Sequence, residues 1–158
     1  MKLLALDFAS TTGFAFYIDG KLSSGYVKFT ARSKEPRDIR LLKFRQWLEA
    51  NAKGCSIISY EAVRNLKSAQ AVICLAELQS VLKLFALEND IELIPYSVSE
   101  IKKHCTGRGN AKKPEMIAAV NSRYDLSVTS NDEADAIAIM GLMLEKIKSL
   151  DSKEDLAA

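Results

Sequence analysis

Asp132 and Asp135 stand three residues apart in Asn131-Asp132-Glu133-Ala134-Asp135-Ala136-Ile137-Ala138-Ile139. If this stretch opens a helix, positions i and i+3 share a face, and the two carboxylates project into one small volume. Like charges that close raise each other's pKa unless a cation lies between them. A divalent ion with oxygen ligands is the usual remedy. Acids also collect in first helical turns simply to face the helix dipole. The residues that follow weigh against so plain a role. Ala136, Ile137, Ala138, Ile139, Met140, Leu142 and Met143 make the helix apolar on nearly all sides, so it should be buried. An unpaired charge beside buried surface is costly.

Two other acids end apolar runs. Residues 2–8 read as a central strand bounded by Asp7, and residues 55–60 as a buried strand that ends at Glu61. In α/β domains, ligands and catalytic groups favour the carboxyl ends of strands. If the two strands are adjacent, Asp7, Glu61, Asp132 and Asp135 converge on one edge. Four carboxylates with one histidine in the whole chain, His104, suit Mg²⁺ or Mn²⁺ rather than zinc. Two such ions about 3.5–4 Å apart can activate water and stabilise a leaving oxygen in phosphodiester cleavage. A basic, glycine-containing stretch at 102–113 supplies the complementary charge through Lys102, Lys103, Arg108, Lys112 and Lys113. Its glycines would let backbone approach a phosphate, and a phosphodiester substrate needs positive flanks.

The elements that must position these groups follow from periodicity. Residues 14–18 form a second strand, Asp19-Gly20 a hairpin turn, and residues 22–30 a third strand, giving three antiparallel strands. An amphipathic helix is expected over 38–51 with Ile39, Leu42, Phe44, Trp47 and Leu48 as its apolar positions. A polar break at 64–67 precedes a long helix over 68–88, apolar almost all round, whose second face awaits either another helix or a second subunit. A short strand follows at 92–95. Ser97 caps a helical turn ending near Ile101, and the basic stretch 102–113 reads as a loop. Pro114 suits the first turn of a helix reaching Tyr124, and the last helix runs to about Leu150. Residues 1–150 are expected to form one domain, and 151–158 a frayed polar tail.

The chain has 158 residues, 48% hydrophobic and 27% charged, with a net charge of +2, ordinary values for a globular protein. No apolar run reaches the roughly 18 residues that span a membrane, and the N-terminus turns acidic too early for a signal peptide. Cys55, Cys74 and Cys105 share no metal-ligand spacing, and reduced thiols in a cytoplasmic setting are the simplest account.

The blocks Leu6-Asp7-Phe8, Ser59-Tyr60-Glu61-Ala62-Val63, Lys102 with Thr106-Gly107-Arg108-Gly109-Asn110-Ala111-Lys112-Lys113, and Asp132 through Ile139 resemble, in order and spacing, the RuvC-type Holliday junction resolvases. The resemblance covers nearly the whole chain. It implies an α/β RNase H-like fold: a mixed five-stranded sheet, three antiparallel N-terminal strands and then two parallel ones, flanked by helices. It implies a Mg²⁺-dependent endonuclease of DNA recombination and repair, with two ions per site and Mn²⁺ as a substitute. Asp7, Glu61, Asp132 and Asp135 would be the metal-binding catalytic acids, with Lys113 offsetting charge on the phosphate. Arg64, Lys67, Lys102, Lys103, Arg108, Lys112 and Lys113 would meet DNA. The partner would be a four-way junction, nicked symmetrically by a homodimer formed through helix 68–88, in the cytoplasm of a bacterium or phage-infected host and away from membrane.

Two positions depart from the family. Phe8-Ala9 replaces the usual Pro-Gly, and Arg64 stands where an aromatic residue is common. These changes resemble phage-encoded members, whose substrates include other branched DNAs. Three other readings stay open. One is an RNase H-like nuclease acting on flaps or RNA–DNA hybrid, and another a non-catalytic DNA-binding module that retains the acids. The third is an actin-like phosphotransferase fragment, suggested by Asp7 with Ser10-Thr11-Thr12-Gly13.

Overall fold

A computed structural model describes residues 1–9, 11–62 and 68–154. Arg64 and Lys67, expected to meet DNA, lie outside the described residues. Three antiparallel strands come first: β1 (Lys2–Asp7), β2 (Thr12–Ile18) and β3 (Lys21–Val27). Asp19 and Gly20 both take positive φ at the β2–β3 turn, the conformation for which an Asp-Gly pair is suited. Helix α1 (Ile39–Asn51) leads to β4 (Ile57–Glu61), and α2 (Ala69–Glu88) to β5 (Glu92–Tyr96). Helices α3 (Val98–Thr106), α4 (Lys113–Tyr124) and α5 (Asn131–Glu154) complete the chain.

The sheet order is β3-β2-β1-β4-β5. β1 pairs antiparallel with β2 and parallel with β4, and β4 pairs parallel with β5. β1 is thus the central strand, and its carboxyl end lies beside that of β4, since Leu6 pairs with Tyr60.

The period of two sorts side chains between two cores. Leu3 and Ala5 face α5, together with Ile137, Met140 and Met143. Leu4, Leu6, Ile58 and Tyr60 face α1 and α2, through Phe44, Leu48, Leu82 and Phe85. Asp7 and Glu61 follow the parity of Ala5 and Ser59, so both strands deliver a carboxylate to the α5 side. Helix α5 runs under β1 and β2 with Ala134, Ala136, Ile137 and Ile139 essentially inaccessible, as its all-round apolarity requires. It continues through Glu154, past the point where a frayed tail was expected.

The structure differs from the sequence-based expectation in four further places. First, α3 does not stop near Ile101. A capping box between Ser97 and Glu100 starts it, and Gly107, at φ 78°, ends it. Lys102 and Lys103 are therefore helical, and the glycine-containing loop shrinks to 107–112. Lysine is a good helix former, and its charge says nothing against a helix. Second, β3 ends at Val27, so Phe29 leaves the sheet and packs on Phe44 and Trp47 of α1. Third, α1 buries Phe44 and Leu48 and leaves Leu42 exposed.

Fourth, α2 is, by length and composition, apolar enough to cross a membrane, contrary to the expectation that no such run exists. Its three charges, Glu77, Lys83 and Glu88, do not lower its average enough. Leu78, Leu82, Phe85 and Ala86 pack against the rest of the fold, while Ile73, Leu84 and Leu87 are exposed.

Candidate active site

The four acids line one cavity of about 810 Å³ at the carboxyl edge of β1 and β4, together with Lys113. Asp7 pairs across the sheet with Gly13 of β2. Gly13 in turn supports the first turn of α5: a Cβ there would overlap the Asp132 carbonyl. A residue with no side chain is what lets the helix N-terminus descend onto the strand beside Asp7. Ser24 of β3 holds the same turn from the far side, its hydroxyl donating to Glu133 at 2.7 Å. The Ser130 hydroxyl accepts from the Glu133 N–H. Asp132 and Asp135 are therefore positioned by β2 and β3, while Asp7 and Glu61 come from β1 and β4.

Crowding shows in the electrostatics. Burial, then the Asp135, Glu61 and Asp132 charges, push the Asp7 carboxyl well above the usual carboxylate range, and Lys113 opposes them. Burial raises Glu61 first, with Asp135 adding to it and Lys102 opposing. Asp135 is pushed up to about 6, mainly by burial and against the pull of Lys113 and Lys102. Asp7 is only 8% exposed, and among the described residues no hydrogen bond reaches its carboxylate. Buried negative charge without donors is an arrangement that cations complete.

Among the described residues, no three His, Cys, Asp or Glu side chains are already drawn together tightly enough to ligate one ion. The carboxylates share the cavity but stand apart in it. The donor set still fits a hard divalent cation: all oxygen, excess negative charge and two amines at the margin.

Raised carboxyl pKa values fix the sign of a pH effect. The neutral form of Asp135 is favoured by the fold, so its contribution is full below its ordinary value of 3.8 and lost as pH rises through about 6. Asp7 and Glu61 act in the same direction. The metal-free protein is expected to lose melting temperature between about pH 4 and pH 6, and a saturating divalent cation to restore it at the higher pH. Scanning calorimetry with and without a chelator checks this; a metal-free melting temperature that climbs over that interval contradicts it.

The basic residues divide. Lys113 opens α4 and lines the cavity, and Lys102 lies near enough to act on Glu61 and Asp135. Lys103 and Lys112 are exposed and do not line the cavity. Arg108 is engaged with Glu115 at 2.6 Å. Sequence reasoning missed Gly13, Ser24, Phe29, Arg37, Arg40 and Cys74. The last four line the same cavity but come from the β3–α1 connection, α1 and α2, and no local spacing ties them to the acids.

The family described as Crossover junction endodeoxyribonuclease RuvC matches residues 21–141. The chain belongs to the RuvC family. The matched stretch contains Glu61, Asp132 and Asp135, with Asp7 just outside it. The RuvC protein of Caldicellulosiruptor saccharolyticus is 28% identical over 155 residues, covering 88% of this chain and 89% of the relative. That of Brachyspira hyodysenteriae is 37% identical over 73 residues, 46% of each chain. With this and two other RuvC relatives, the match spans about half the relative's length.

Among solved structures, Thermus thermophilus RuvC superposes with a TM-score of 0.73 at 18% identity, over 90% of this chain and 92% of that one. Fowlpox virus resolvase, solved with Holliday junction DNA, gives 0.57 at 14% identity, over 95% and 99%. At such identities the likeness is one of fold: the mixed sheet flanked by helices is the RNase H-like fold of RuvC.

Proposed function

We propose that this protein is a metal-dependent endonuclease that resolves four-way DNA junctions by paired symmetric nicks. The observation that carries the reading is the meeting of Asp7, Glu61, Asp132 and Asp135 in one cavity with Lys113 at its side, in a chain of the RuvC family. The reading as a relic binding module loses support by the same fact, since such a module has no use for buried carboxylates at a stability cost.

Asp7, Glu61, Asp132 and Asp135 would hold the ions, Mg²⁺ by preference with Mn²⁺ accepted, two to a site. Bound there, the ions would supply an ionised water and stabilise charge on the phosphate. Lys113 offsets charge on the pentacovalent phosphate, and Lys102 restrains the neighbouring backbone. Lys103, Arg108 and Lys112, with Arg64 and Lys67, extend the positive flank along the arms of branched DNA. Arg108 must exchange Glu115 for a phosphate to do so. The protein acts on DNA in the cytoplasm of a bacterium or phage-infected host.

A panel of four-way junction, flap and RNA–DNA hybrid, each incubated with Mg²⁺, tests the substrate class. Paired nicks at symmetric positions in the junction are expected, at rates at least about tenfold above the others. Preferential cutting of the hybrid would move the protein to another branch of the fold.

The exposed side of α2, with Ile73, Leu84 and Leu87, supports a homodimer through this helix. Sedimentation at micromolar concentration is expected to return a dimer, and Leu84→Glu together with Leu87→Glu a folded monomer. A wild-type monomer under those conditions would remove the basis for simultaneous paired cuts.

A further inference from the structure

Lys102, Lys113 and Asp135 come to the site from three different helices, α3, α4 and α5. Those helices must be held in register for the lysines to meet the acids. One cluster outside the cavity touches all three: His104 of α3, Arg123 and Tyr124 of α4, and Gly141 and Glu145 of α5. The proposed chemistry uses none of these residues.

His104, the one histidine of the chain, lies at the centre. Its side chain is only 5% exposed, and its Nδ1 stands 3.2 Å from Glu145 Oε2. Across the ring, Arg123 Nη1 stands 2.8 Å from Nε2, and it also donates to the His104 carbonyl at 3.3 Å. A guanidinium has donors only. Nε2 therefore accepts, and the proton of the neutral ring is left on Nδ1, facing Glu145. A doubly protonated ring would set one N–H against another at Arg123. Burial first, and then the Arg123 charge, hold His104 below the ordinary imidazole range against the pull of Glu145. The ring thus stays in the form that the bridge requires.

Helix α5 makes room for this bridge. Gly141 lies within the helix, where a glycine weakens it. A Cβ there would collide with the Tyr124 hydroxyl and stand 3.3 Å from His104 Nε2. The missing side chain is what lets imidazole and phenol seat against α5.

A second tie joins α3 to α5, from Glu100 to Lys146 at 3.5 Å, with both side chains half-exposed. Exposed pairs of this kind contribute little, so the buried ring is the stronger hold. Glu100 and His104 are one turn apart on α3 and meet consecutive residues of α5. Lys102 lies midway between them in sequence, about 200° round the helix from each. Rocking of α3 on that face would swing Lys102 relative to Glu61 and Asp135, the acids on which its charge acts.

We infer that His104 is a positioning residue for junction cleavage: by accepting from Arg123 and donating to Glu145 it locks α3 against α4 and α5, and so sets Lys102 beside the acids. The inference rests on the proposed junction-cleaving function.

The first measurement needs no DNA. With a single histidine, ¹⁵N spectra read the ring without overlap, and a neutral imidazole with its proton on Nδ1 is expected at pH 7.5. Nicking rates in Mg²⁺ at saturating junction are then compared among variants whose melting curves verify that they fold. His104→Leu removes both ring nitrogens. It is expected to lower kcat about tenfold, part of the roughly 10²-fold that a 1 Å misplacement can cost. His104→Gln keeps an acceptor beside a donor, and should nick within about threefold of the wild type. In a Lys102→Ala background, His104→Leu should cause no further loss, because effects that pass through one group do not add.

A ring proton found on Nε2, a His104→Gln protein as slow as His104→Leu, or an equal loss from His104→Leu with and without Lys102 would each overturn the inference and leave the proposed function standing. A wild type that nicks no junction would overturn the proposed function and the link to Lys102 with it.

Discussion

Asp7→Asn is expected to lower junction nicking in Mg²⁺ by about 10³-fold or more, the scale on which loss of one member of a concerted catalytic set is felt. Asp7 is the acid on which burial and three like charges converge, so it is the group whose negative charge the bound ions offset most. The amide keeps shape and volume. It removes the charge that draws in a cation and adds an N–H₂ that repels one. Junction binding in Ca²⁺ should stay within about threefold of wild type, because the DNA contacts lie on lysines and arginines at the margin.

The same substitution has a second effect of opposite sign. A carboxylate held buried among like charges destabilises the metal-free fold at neutral pH, and the amide does not. Metal-free Asp7→Asn should therefore melt higher than metal-free wild type at pH 8, the difference shrinking toward pH 4 as the wild-type acid protonates. Loss of nicking accompanied by a lower melting temperature would instead report a damaged fold.

Gly13→Ala should cost less in rate and more in stability. The added Cβ would fall on the Asp132 carbonyl, a backbone atom that cannot rotate aside. Helix α5 must lift from β2, taking Asp132 with it and stretching the bond between Ser24 and Glu133. Overpacking of this kind costs about 1–3 kcal/mol, or a few degrees of melting temperature at roughly 2–4 °C per kcal/mol for a domain of this size. A displacement near 1 Å at a catalytic group can cost about 10²-fold in rate. Nicking by Gly13→Ala is thus expected to fall about 10²-fold with Ca²⁺-supported binding retained. Wild-type rates in this variant would show that α5 tolerates the lift and that Asp132 is placed by other means.

How much of this was legible beforehand depends on the range of the signal. Asp7 and Glu61 announce themselves because an apolar strand has a period of two and a sharp polar end, both local properties. Asp132 and Asp135 do so because an apolar helix makes acids at its start conspicuous. The parallel pairing of β1 with β4 could be expected from the intervening helix α1. Local reading failed where contact crosses the chain. The approach of α5 to Gly13 joins residues more than a hundred positions apart. Nothing near Gly13 distinguishes it from an ordinary turn glycine.

The same holds for the other residues that line the cavity. Phe29, Arg40 and Leu75 come from separate elements, and each alone looks like an unremarkable core or surface residue. The basic run from Lys102 misled for another reason. Its charge suggested a solvated loop, whereas the backbone follows the capping box at Ser97 and the left-handed Gly107, and carries Lys102 toward the acids on a helix.

The account stands on the ability of this cavity to take divalent cations. Titration calorimetry of the folded, chelator-treated protein with Mn²⁺ at pH 7.5 measures that directly, with Asp7→Asn as the comparison. The prediction is saturable binding with release of protons by the wild type, lost or weakened by at least about tenfold in the variant. A folded wild type that takes up no Mn²⁺ or Mg²⁺ at millimolar concentration would contradict it.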